Sequence, residues 1–405
     1  MKNTQQFGIT MANPTALQKR IKRRIVGRNH TFFAVTLPGL ESLCREELAA
    51  LPIDGQQLQI EKGGILFRAR LHDAYAANLH LRTASRILMR IGQFRAVNFR
   101  QLEKQLRSFP WELYLFQQQP FELNVTSRRS RLIHTAAIAQ RFEQAIAVRL
   151  SAHPGLPAPG DTPPPALKIA VRSVADTFTL SLDSSGDPLY KRGLKTYGGA
   201  APLRETFAAA MLAMAGFSRR HILSDPMCGS GTFTLEAALS ACRIPSGWYR
   251  DFAFMDWPSY RSGRWKHLRK LAGTRIDIPT APHVFASDRD PKAVGNLQGA
   301  ITAIDLSPAV HLQTGDFFTL VPPKLGTTPG VVVLNPPYGI RLKTESSVKD
   351  LYSKIGSRLM KVYRSWNLAM ILPRKDLQTR LPFAVNTLPF QHGGLHLTLA
   401  TAKIQ

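Results

Sequence analysis

The sequence predicts an α/β protein whose C-terminal half contains a mostly parallel, doubly wound sheet, preceded by a region of α+β type. After residue 185, strand-like apolar runs alternate with helical patterns, which is typical of strands joined by crossover helices. The run Val331–Leu334 is apolar throughout, as expected of a strand that is buried on both faces. Before that point, strands and helices follow one another without a regular βαβ repeat. We therefore place the main boundary after residue 184.

The elements of the N-terminal half follow from apolar periodicity. Strands are predicted where short apolar runs are bounded by turn residues, and helices where apolar residues recur every three to four positions. The predicted strands cover residues 32–36, 64–69, 121–125, 168–172 and 177–183. The predicted helices cover residues 39–51, 73–88, 98–106 and 134–150. Residues 153–165 are rich in proline and glycine and are predicted to be a loop insertion.

The composition indicates a polyanionic partner. The chain has 405 residues and a formal net charge of +26, and the excess of Lys and Arg extends through both halves. Because each phosphate contact releases counterions, this excess favours nucleic acid over a merely solubilising surface. Cys44, Cys228 and Cys242 form no close pair, so we expect no disulfide framework, no zinc or other metal site and a cytoplasmic location. No run reaches the length of a membrane span, and we expect no membrane partner.

Basic residues are concentrated at two places in the N-terminal half. Residues 1–30 are predicted to form a flexible, disordered basic arm, with no acidic residue before Glu41; the arm could help to capture RNA. Arg128, Arg129 and Arg131 stand between a predicted strand and a predicted helix. Basic side chains at a helix start are well placed for phosphates, so these three are predicted RNA contacts. The alternative interpretation is a solvated turn.

The segment 225–232 (Asp-Pro-Met-Cys-Gly-Ser-Gly-Thr) reads as a strand end, a glycine turn and a helix start. Its two glycines allow the main chain to approach a ligand closely. No lysine follows the second glycine, which excludes a triphosphate-gripping loop, and Leu235 stands where a dinucleotide fingerprint would need its third glycine. An acidic residue before the turn suits a ligand with an ammonium group, such as S-adenosylmethionine (SAM). The predicted cofactor contacts here are Asp225, Pro226, Met227, Cys228, Gly229, Gly231 and Thr232.

Two further strands are predicted to end near acidic residues. The strand at 284–287 ends in Asp288, where a carboxylate can bind ribose hydroxyls in this architecture. The strand at 310–312 is followed by Asp316 and Phe317, which can accept a hydrogen bond from an adenine amino group and lie against the adenine face. A helix N-cap is the alternative role of such an aspartate. Three acidic strand ends in chain order predict a SAM site.

The fourth strand is followed by Asn335, Pro336, Pro337 and Tyr338, the predicted catalytic residues. The prolines lock φ and remove N–H donors, so the Asn335 carboxamide oxygen and the neighbouring main-chain carbonyls form a fixed set of acceptors. Such acceptors beside an aromatic face suit a flat, conjugated amino group, and they orient its nitrogen for methylation. A stiff turn with no chemical role is the alternative for this tetrapeptide alone.

Together these segments resemble the THUMP-domain guanine-N2 RNA methyltransferases, a family that includes bacterial 23S ribosomal RNA enzymes and archaeal and bacterial tRNA enzymes. The resemblance extends from residue 31 nearly to the C-terminus. It rests on residues 81–86, 110–112, 182–186, 191–193, 201–206, 225–232 and 335–339. The last two segments also occur in many amino-directed methyltransferases, whereas the first five make the match specific. The loop 153–165 is longer than the family pattern needs, which puts the THUMP boundary in doubt.

The resemblance implies a Rossmann-like class I methyltransferase domain at 185–405, preceded by a ferredoxin-like element at 31–70 and a THUMP RNA-binding domain at 71–184. It adds Lys191 and Arg192 to the predicted RNA contacts. It also covers an excursion at 244–282, whose aromatic and basic side chains are expected either to stack on RNA or to pack as a helical insertion.

The implied function is SAM-dependent methylation of guanosine N2 in structured RNA, with 23S ribosomal RNA favoured over tRNA. Asn335 and the Pro336 carbonyl would accept the N2 hydrogens, and Tyr338 would stack on the base. Other acceptors, namely adenine N6 or a protein glutamine amide, are served by the same tetrapeptide. A non-catalytic RNA-binding or ribosome assembly factor is the alternative of a different class.

Overall fold

The computed structural model describes residues 15–53, 57–160, 162–194, 203–322, 329–337, 345–392 and 394–405. It contains two seven-stranded sheets, one on each side of residue 184. The predicted fold class, an α/β domain preceded by an α+β region, is confirmed. Within the described ranges, no helix combines the length and the apolarity needed to cross a bilayer.

The N-terminal sheet is mostly antiparallel. Its strands are β1 (Asn29–Val35), β2 (Leu58–Glu61), β3 (Gly64–Arg70), β4 (Arg86–Arg95), β5 (Phe121–Arg128), β6 (Leu167–Val174) and β7 (Thr177–Asp183). The order is β2-β3-β1-β4-β7-β6-β5, and β5 and β6 are its parallel pair. The helices on this side are α1 (Ala16–Ile21), α2 (Glu41–Ala49), α3 (Leu71–His80), α4 (Phe99–Ser108) and α5 (Thr135–Ala152).

The C-terminal sheet carries the parallel strands that the sequence predicts. Its strands are β8 (Leu223–Asp225), β9 (Val284–Asp288), β10 (Val310–Thr314), β11 (Val331–Leu334), β12 (Asn367–Leu372), β13 (Asn386–His392) and β14 (Leu395–Lys403). The order is β10-β9-β8-β11-β12-β14-β13, and β13 and β14 run antiparallel to their neighbours. The helices after residue 184 are α6 (Glu205–Met214), α7 (Thr232–Ala241), α8 (Ser262–Gly273), α9 (Pro291–Thr302) and α10 (Glu345–Val362). All four residues of β11 are buried, which agrees with their uniform apolarity.

One predicted helix was wrong at its C-terminal end. The helix predicted at 73–88 ends at His80, and Leu88 lies in β4, where it pairs with Phe33 of β1. The alternating burial of β4 is a strand pattern that the helical interpretation overlooked. Because β4 pairs with both β1 and β7, the predicted boundary at residue 70 falls inside one continuous sheet.

The predicted disorder of the basic arm was wrong for residues 15–30. They form α1, a π-helical turn at Lys22–Val26 and the start of β1. The reason is a short apolar stripe within the basic run: Ile21 and Ile25, four positions apart, are 1% and 2% exposed in the N-terminal core. The part of the arm at residues 1–14 lies outside the described residues.

The excursion at 244–282 packs against the N-terminal half rather than presenting its aromatics as a stacking surface. Phe254 stacks on Tyr75 of α3 with ring centroids 4.2 Å apart, and Trp265 of α8 meets Tyr75 edge-on. Phe252 and Trp257 are also buried in this cluster. Of the two expectations for this segment, the structure supports helical packing.

Candidate active site

Three acidic residues and one amide converge at the carboxyl edge of the C-terminal sheet. Asp225 and Asp288 are the last residues of β8 and β9, Asp316 lies two residues after β10, and Asn335 directly follows β11. These four strands are parallel neighbours, so their carboxyl ends meet at one edge. The edge of an open α/β sheet is where such folds bind ligands.

Asp225 is a fully buried carboxylate with one unused oxygen. Its Oδ2 accepts a hydrogen bond of 2.7 Å from the Thr234 hydroxyl of α7. Its Oδ1 is buried and has no hydrogen-bond partner among the described residues. Burial, with a smaller contribution from the negative charge of Asp288, raises the pKa of Asp225 to about 7. A buried acceptor without a donor fits a ligand that brings a cationic N–H group, so this residue fits the ammonium of SAM.

The glycine turn brings the main chain next to this carboxylate. Gly231 has φ +79°, and a Cβ there would lie 2.2 Å from the Leu297 side chain of α9, so any other residue would be strained and would displace Leu297. Gly229 has φ +51°, and a Cβ there would meet open space. The Gly229 amide donates a 2.8 Å hydrogen bond to Asp288 Oδ2, and the Cys228 amide donates to the Ser287 carbonyl at 3.0 Å. The turn is therefore tied to the end of β9, with room for a ligand beside Gly229.

The remaining predicted cofactor residues, in and next to the turn, have buried or half-buried side chains. Pro226 is buried, and Met227 is half-buried against the core beside β11. The Cys228 thiol is buried, and burial together with nearby carboxylates raises its pKa, so it is a neutral thiol at neutral pH. Thr232 is the buried first residue of α7.

The structure separates the two residues predicted at the adenine. Asp316 is exposed and accepts a 2.7 Å hydrogen bond from the Phe318 amide, whereas Asp288, which is predicted at the ribose, is half-buried beside the turn. Phe317 is 3% exposed and stacks on Tyr363 in the core with ring centroids 6.3 Å apart. The predicted adenine contact of Phe317 was therefore wrong for its ring, because the core already covers it.

Asn335 carries the second unpartnered acceptor of the site. Its Oδ1 is buried without a hydrogen-bond partner in the part of the chain that the structure describes. Pro336 beside it is buried and Pro337 is half-buried. Tyr338, the predicted stacking residue, lies outside the described residues. An amide oxygen left without a donor at the end of β11 is what a hydrogen-donating substrate group would satisfy.

A cavity of about 600 Å³ is lined by the linker after residue 184 and by the start of α6. The far end of α6 lies at the opposite edge of the sheet, where Asn367 of β12 donates to the Ala215 carbonyl. The start of α6 must therefore lie towards the strand ends. The lining of the cavity includes Lys191, Arg204 and Glu205. Burial raises the pKa of Glu205 to about 7.

The structure overturns one predicted RNA contact. Arg192 is 2% exposed, and its Nε donates a 2.7 Å hydrogen bond to Glu236 Oε1 of α7. Its Nη2 also donates to the main-chain carbonyl of Arg82 at 2.8 Å. A guanidinium enclosed in this way cannot reach a phosphate, so Arg192 joins the two halves of the chain instead.

The other predicted RNA contacts stay exposed, and their role stays a prediction. Arg128 ends β5, and Arg129 follows in the left-handed region with φ 50°. Arg131 is 71% exposed and lies 3.8 Å from Asp176. Lys191 is exposed and lies 3.3 Å from Asp187.

Sequence reasoning missed Thr234, Glu236 and Glu205. A signal existed for Glu236, because it is the one charged residue in the largely apolar helix Thr232–Ala241. A buried charge needs a partner of opposite sign. No sequence signal distinguishes Thr234 from the other hydroxyl residues of the chain. No group of three or more His, Cys, Asp or Glu side chains that could hold a metal ion occurs within the described ranges.

Comparisons with known families agree with this site. A family model described as the RMKL-like methyltransferase domain matches residues 192–387, and a model described as the RlmL ferredoxin-like domain matches residues 31–88. The second match extends past the predicted boundary at residue 70 and includes the first residues of β4. The chain is similar to "Putative RNA methyltransferase slr0064" of Synechocystis sp., with 32% identity over 91% of this chain and 95% of that protein.

Two further comparisons extend the likeness. "Ribosomal RNA large subunit methyltransferase K/L" of Methylococcus capsulatus is 34% identical over 85% of this chain and 47% of that protein. The chain thus spans about half the length of its K/L relatives. The crystal structure of SMU.472, described as a putative methyltransferase complexed with SAH, covers 93% of this chain and 99% of that one, with a TM-score of 0.82 and 27% identity. SAH is SAM without its transferable methyl group, so that complex agrees with the predicted cofactor. The chain belongs to the RMKL-like methyltransferase family.

Proposed function

We propose that this protein methylates the exocyclic N2 amine of a guanosine in structured RNA, with 23S ribosomal RNA as the substrate, and that it uses SAM as the methyl donor. The observation that carries the proposal is the pair of buried, unpartnered acceptors at one sheet edge, Asp225 Oδ1 and Asn335 Oδ1. One fits a cationic donor group and the other fits an amine. The names of the K/L and slr0064 relatives support RNA as the substrate, and a ribosomal substrate agrees with the predicted cytoplasmic location.

The residues of the edge divide into a donor side and an acceptor side. Asp225 would hold the ammonium of SAM, and Asp288 would bind its ribose. The main chain at Gly229 would contact the cofactor between these two groups. When bound, SAM supplies an electrophilic methyl group. Because that group is already reactive, the contribution of the protein is alignment of the amine and exclusion of water.

The acceptor side orients the amine. Asn335 Oδ1 and the Pro336 carbonyl accept the two N2 hydrogens. The nitrogen lone pair is then free to point at the methyl group of SAM. Tyr338 stacks on the base in this proposal. Binding of the base is unfavourable without these acceptors, because its N–H groups would lose their water partners without replacement.

Backbone recognition of the RNA is assigned to the N-terminal half. We propose that residues 71–184 act as a THUMP domain after the ferredoxin-like element. Arg128, Arg129, Arg131 and Lys191 would contact phosphates, where shape matters more than sequence. Their exposure supports this assignment.

The test compares Asn335→Ala with a matched variant, Asn386→Ala, which removes an exposed carboxamide at the start of β13. Both variants are incubated with radiolabelled SAM and ribosomal RNA that lacks the modification, and the product is digested to nucleosides. We expect N2-methylguanosine from the wild type and from N386A, and a loss of at least about 100-fold for N335A. N6-methyladenosine in the digest would assign the site to adenine. Full activity of N335A would remove the proposed role of Asn335.

A further inference from the structure

The N-terminal basic segment is fixed to the fold by apolar contacts. Residues 16–26, hereafter the basic helix, comprise α1 and the π-helical turn that follows it. Ile21 and Ile25 are almost fully buried, and Leu17 packs against the same core. The Thr15 side chain caps the start of the helix together with Gln18. The segment is therefore a docked element rather than a tether.

An ion pair with the buried side chain of Glu112 also attaches the basic helix to the fold. Arg20 donates a 2.9 Å hydrogen bond to Glu112 Oε1, and Arg149 of α5 donates to both oxygens of that carboxylate at 2.8 and 3.0 Å. Glu112 is 1% exposed, and these two arginines keep its pKa below the usual range despite its burial. One of the basic residues of the segment is thus used for docking.

The other basic residues of the helix have no such role. Lys19, Lys22, Arg23 and Arg24 are exposed, and within the described ranges none of them forms an ion pair. No acidic residue occurs in the sequence before Glu41. Holding four like charges on about three turns of helix costs free energy through repulsion, and an anionic partner would remove that cost. The last five residues form a π-helical turn, a rare conformation that is frequent at functional sites.

The basic helix and the predicted RNA contacts at residues 128–131 lie at opposite ends of α5. Arg149 lies in the last turn of α5, whereas Arg128, Arg129 and Arg131 precede its first turn. An 18-residue helix separates its ends by about 27 Å. The family model of the ferredoxin-like domain begins at residue 31, so the helix is outside the matched family domains.

From these observations we propose that the basic helix is a second phosphate-binding surface for structured RNA, at the end of α5 opposite to the Arg128–Arg131 segment. The choice of RNA as the polyanion rests on the proposed function. The surface binds backbone phosphates without reading the bases, because it offers only cationic side chains on a fixed scaffold.

The test removes charge without disturbing the docking residues. The variant K19Q/K22Q/R23Q/R24Q keeps Arg20, Ile21 and Ile25. The matched control R220Q/K361Q/R364Q/K403Q removes four exposed charges at the edge of the C-terminal sheet opposite to the site. A charge-keeping variant, K19R/K22R/R23K/R24K, tests whether charge or side-chain identity matters. Binding to a fluorescent RNA hairpin with a long stem is measured by anisotropy between 50 and 200 mM KCl.

We expect the helix variant to bind about 10- to 100-fold more weakly at 100 mM KCl, and the slope of log K against log salt to fall by about 2 to 3. The control and the charge-keeping variant should stay within about twofold of the wild type, and all variants should keep the same unfolding temperature. Equal losses in the helix variant and the control, or no loss in either, would overturn the proposal. So would unchanged RNA binding together with a lost affinity for phosphatidylglycerol vesicles, which would assign the helix to membranes.

This readout is independent of catalysis. If the wild type fails to methylate guanosine but the helix variant still loses RNA affinity, the proposed function fails and the RNA-binding surface stands. If methylation occurs and the helix variant binds like the wild type, the surface fails alone.

Discussion

Arg192 and Glu236 form a buried ion pair between the linker after β7 and helix α7, with Nε and Oε1 2.7 Å apart and both side chains 1% exposed. Arg82, from the N-terminal half, joins them: its Nη1 lies 3.4 Å from Glu236 and its Nη2 donates to the Ile244 carbonyl at 2.6 Å. The cluster fixes the N-terminal half against the methyltransferase domain two residues along α7 from Thr234, whose hydroxyl donates to Asp225.

Replacing Arg192 with Ala should destabilise the protein rather than weaken RNA binding. The change leaves Glu236 buried with a weaker partner, which costs about 3–5 kcal/mol of the free energy of unfolding. Chemical denaturation measures this cost. The control is Lys191→Ala, an exposed neighbour that should change stability by less than about 0.5 kcal/mol. Normal stability of R192A with a lost RNA affinity would restore the original prediction of an RNA contact.

Asp225 predicts a pH dependence of SAM binding. Only the ionised carboxylate attracts an ammonium group, so affinity should rise up to about tenfold per pH unit below pH 7 and level off above it, since the pKa of Asp225 in the free protein is raised to about 7. Calorimetry from pH 5.5 to 8.5 measures it. Asp225→Asn should abolish both tight binding and the pH dependence, whereas Asp305→Asn, at an exposed site, should preserve both. A flat profile in the wild type would contradict the assignment.

The raised pKa of Asp225 also predicts the direction in which the free energy of unfolding changes with pH. Between the unfolded pKa, about 4, and the folded pKa, about 7, the native state binds the proton and the unfolded state does not. The contribution of Asp225 to the free energy of unfolding therefore falls as pH rises through this window and is constant above it. Denaturation of the wild type and D225N at pH 4.5 and 8 should show a smaller difference between the two pH values in the variant.

The two glycines of the turn should respond differently to Ala. Gly231→Ala forces a Cβ into Leu297 and should cost at least about 2 kcal/mol of stability. Gly229→Ala meets open space and should cost only the strain of its positive φ, about 1 kcal/mol, while the methyl group blocks the ligand side and weakens SAM binding. Gly63→Ala is the control, since it has φ +84° and open space away from the turn. Equal SAM affinity in G229A and G63A would contradict a ligand at Gly229.

Arg250 should set the geometry of the linker. Its two Nη atoms donate to the carbonyls of Ser185, Asp187, Pro188 and Lys191 at 2.7–3.0 Å. Arg250→Lys cannot reproduce this planar fork and should cost about 1–3 kcal/mol of stability. Methylation of RNA should fall further than SAM affinity, because the linker positions the half of the chain that we propose to bind RNA. The comparison is Arg264→Lys on the exposed face of α8; an equal effect of the two would contradict a specific role.

Much of the fold could be predicted because its patterns are local. The uniform apolarity of Val331–Leu334 and the alternation after residue 185 are sufficient to predict a parallel sheet, and the acidic residues at strand ends then converge at one edge by geometry alone. The failures involve segments in which composition and packing disagree. Residues 15–26 are basic enough to suggest disorder, yet two isoleucines four positions apart decide in favour of a docked helix.

By itself the sequence determined the chemistry available at the site: a carboxylate before a glycine turn, two further acidic strand ends and an Asn-Pro-Pro-Tyr segment, in chain order. Only the tertiary structure decided which charged groups are free to act. Arg192 and Arg128 are indistinguishable as letters, but one is enclosed by Glu236 and main-chain carbonyls while the other is exposed at a strand end. Solvent access depends on residues distant in the chain, and this is why the local sequence could not distinguish a structural cation from one available to RNA.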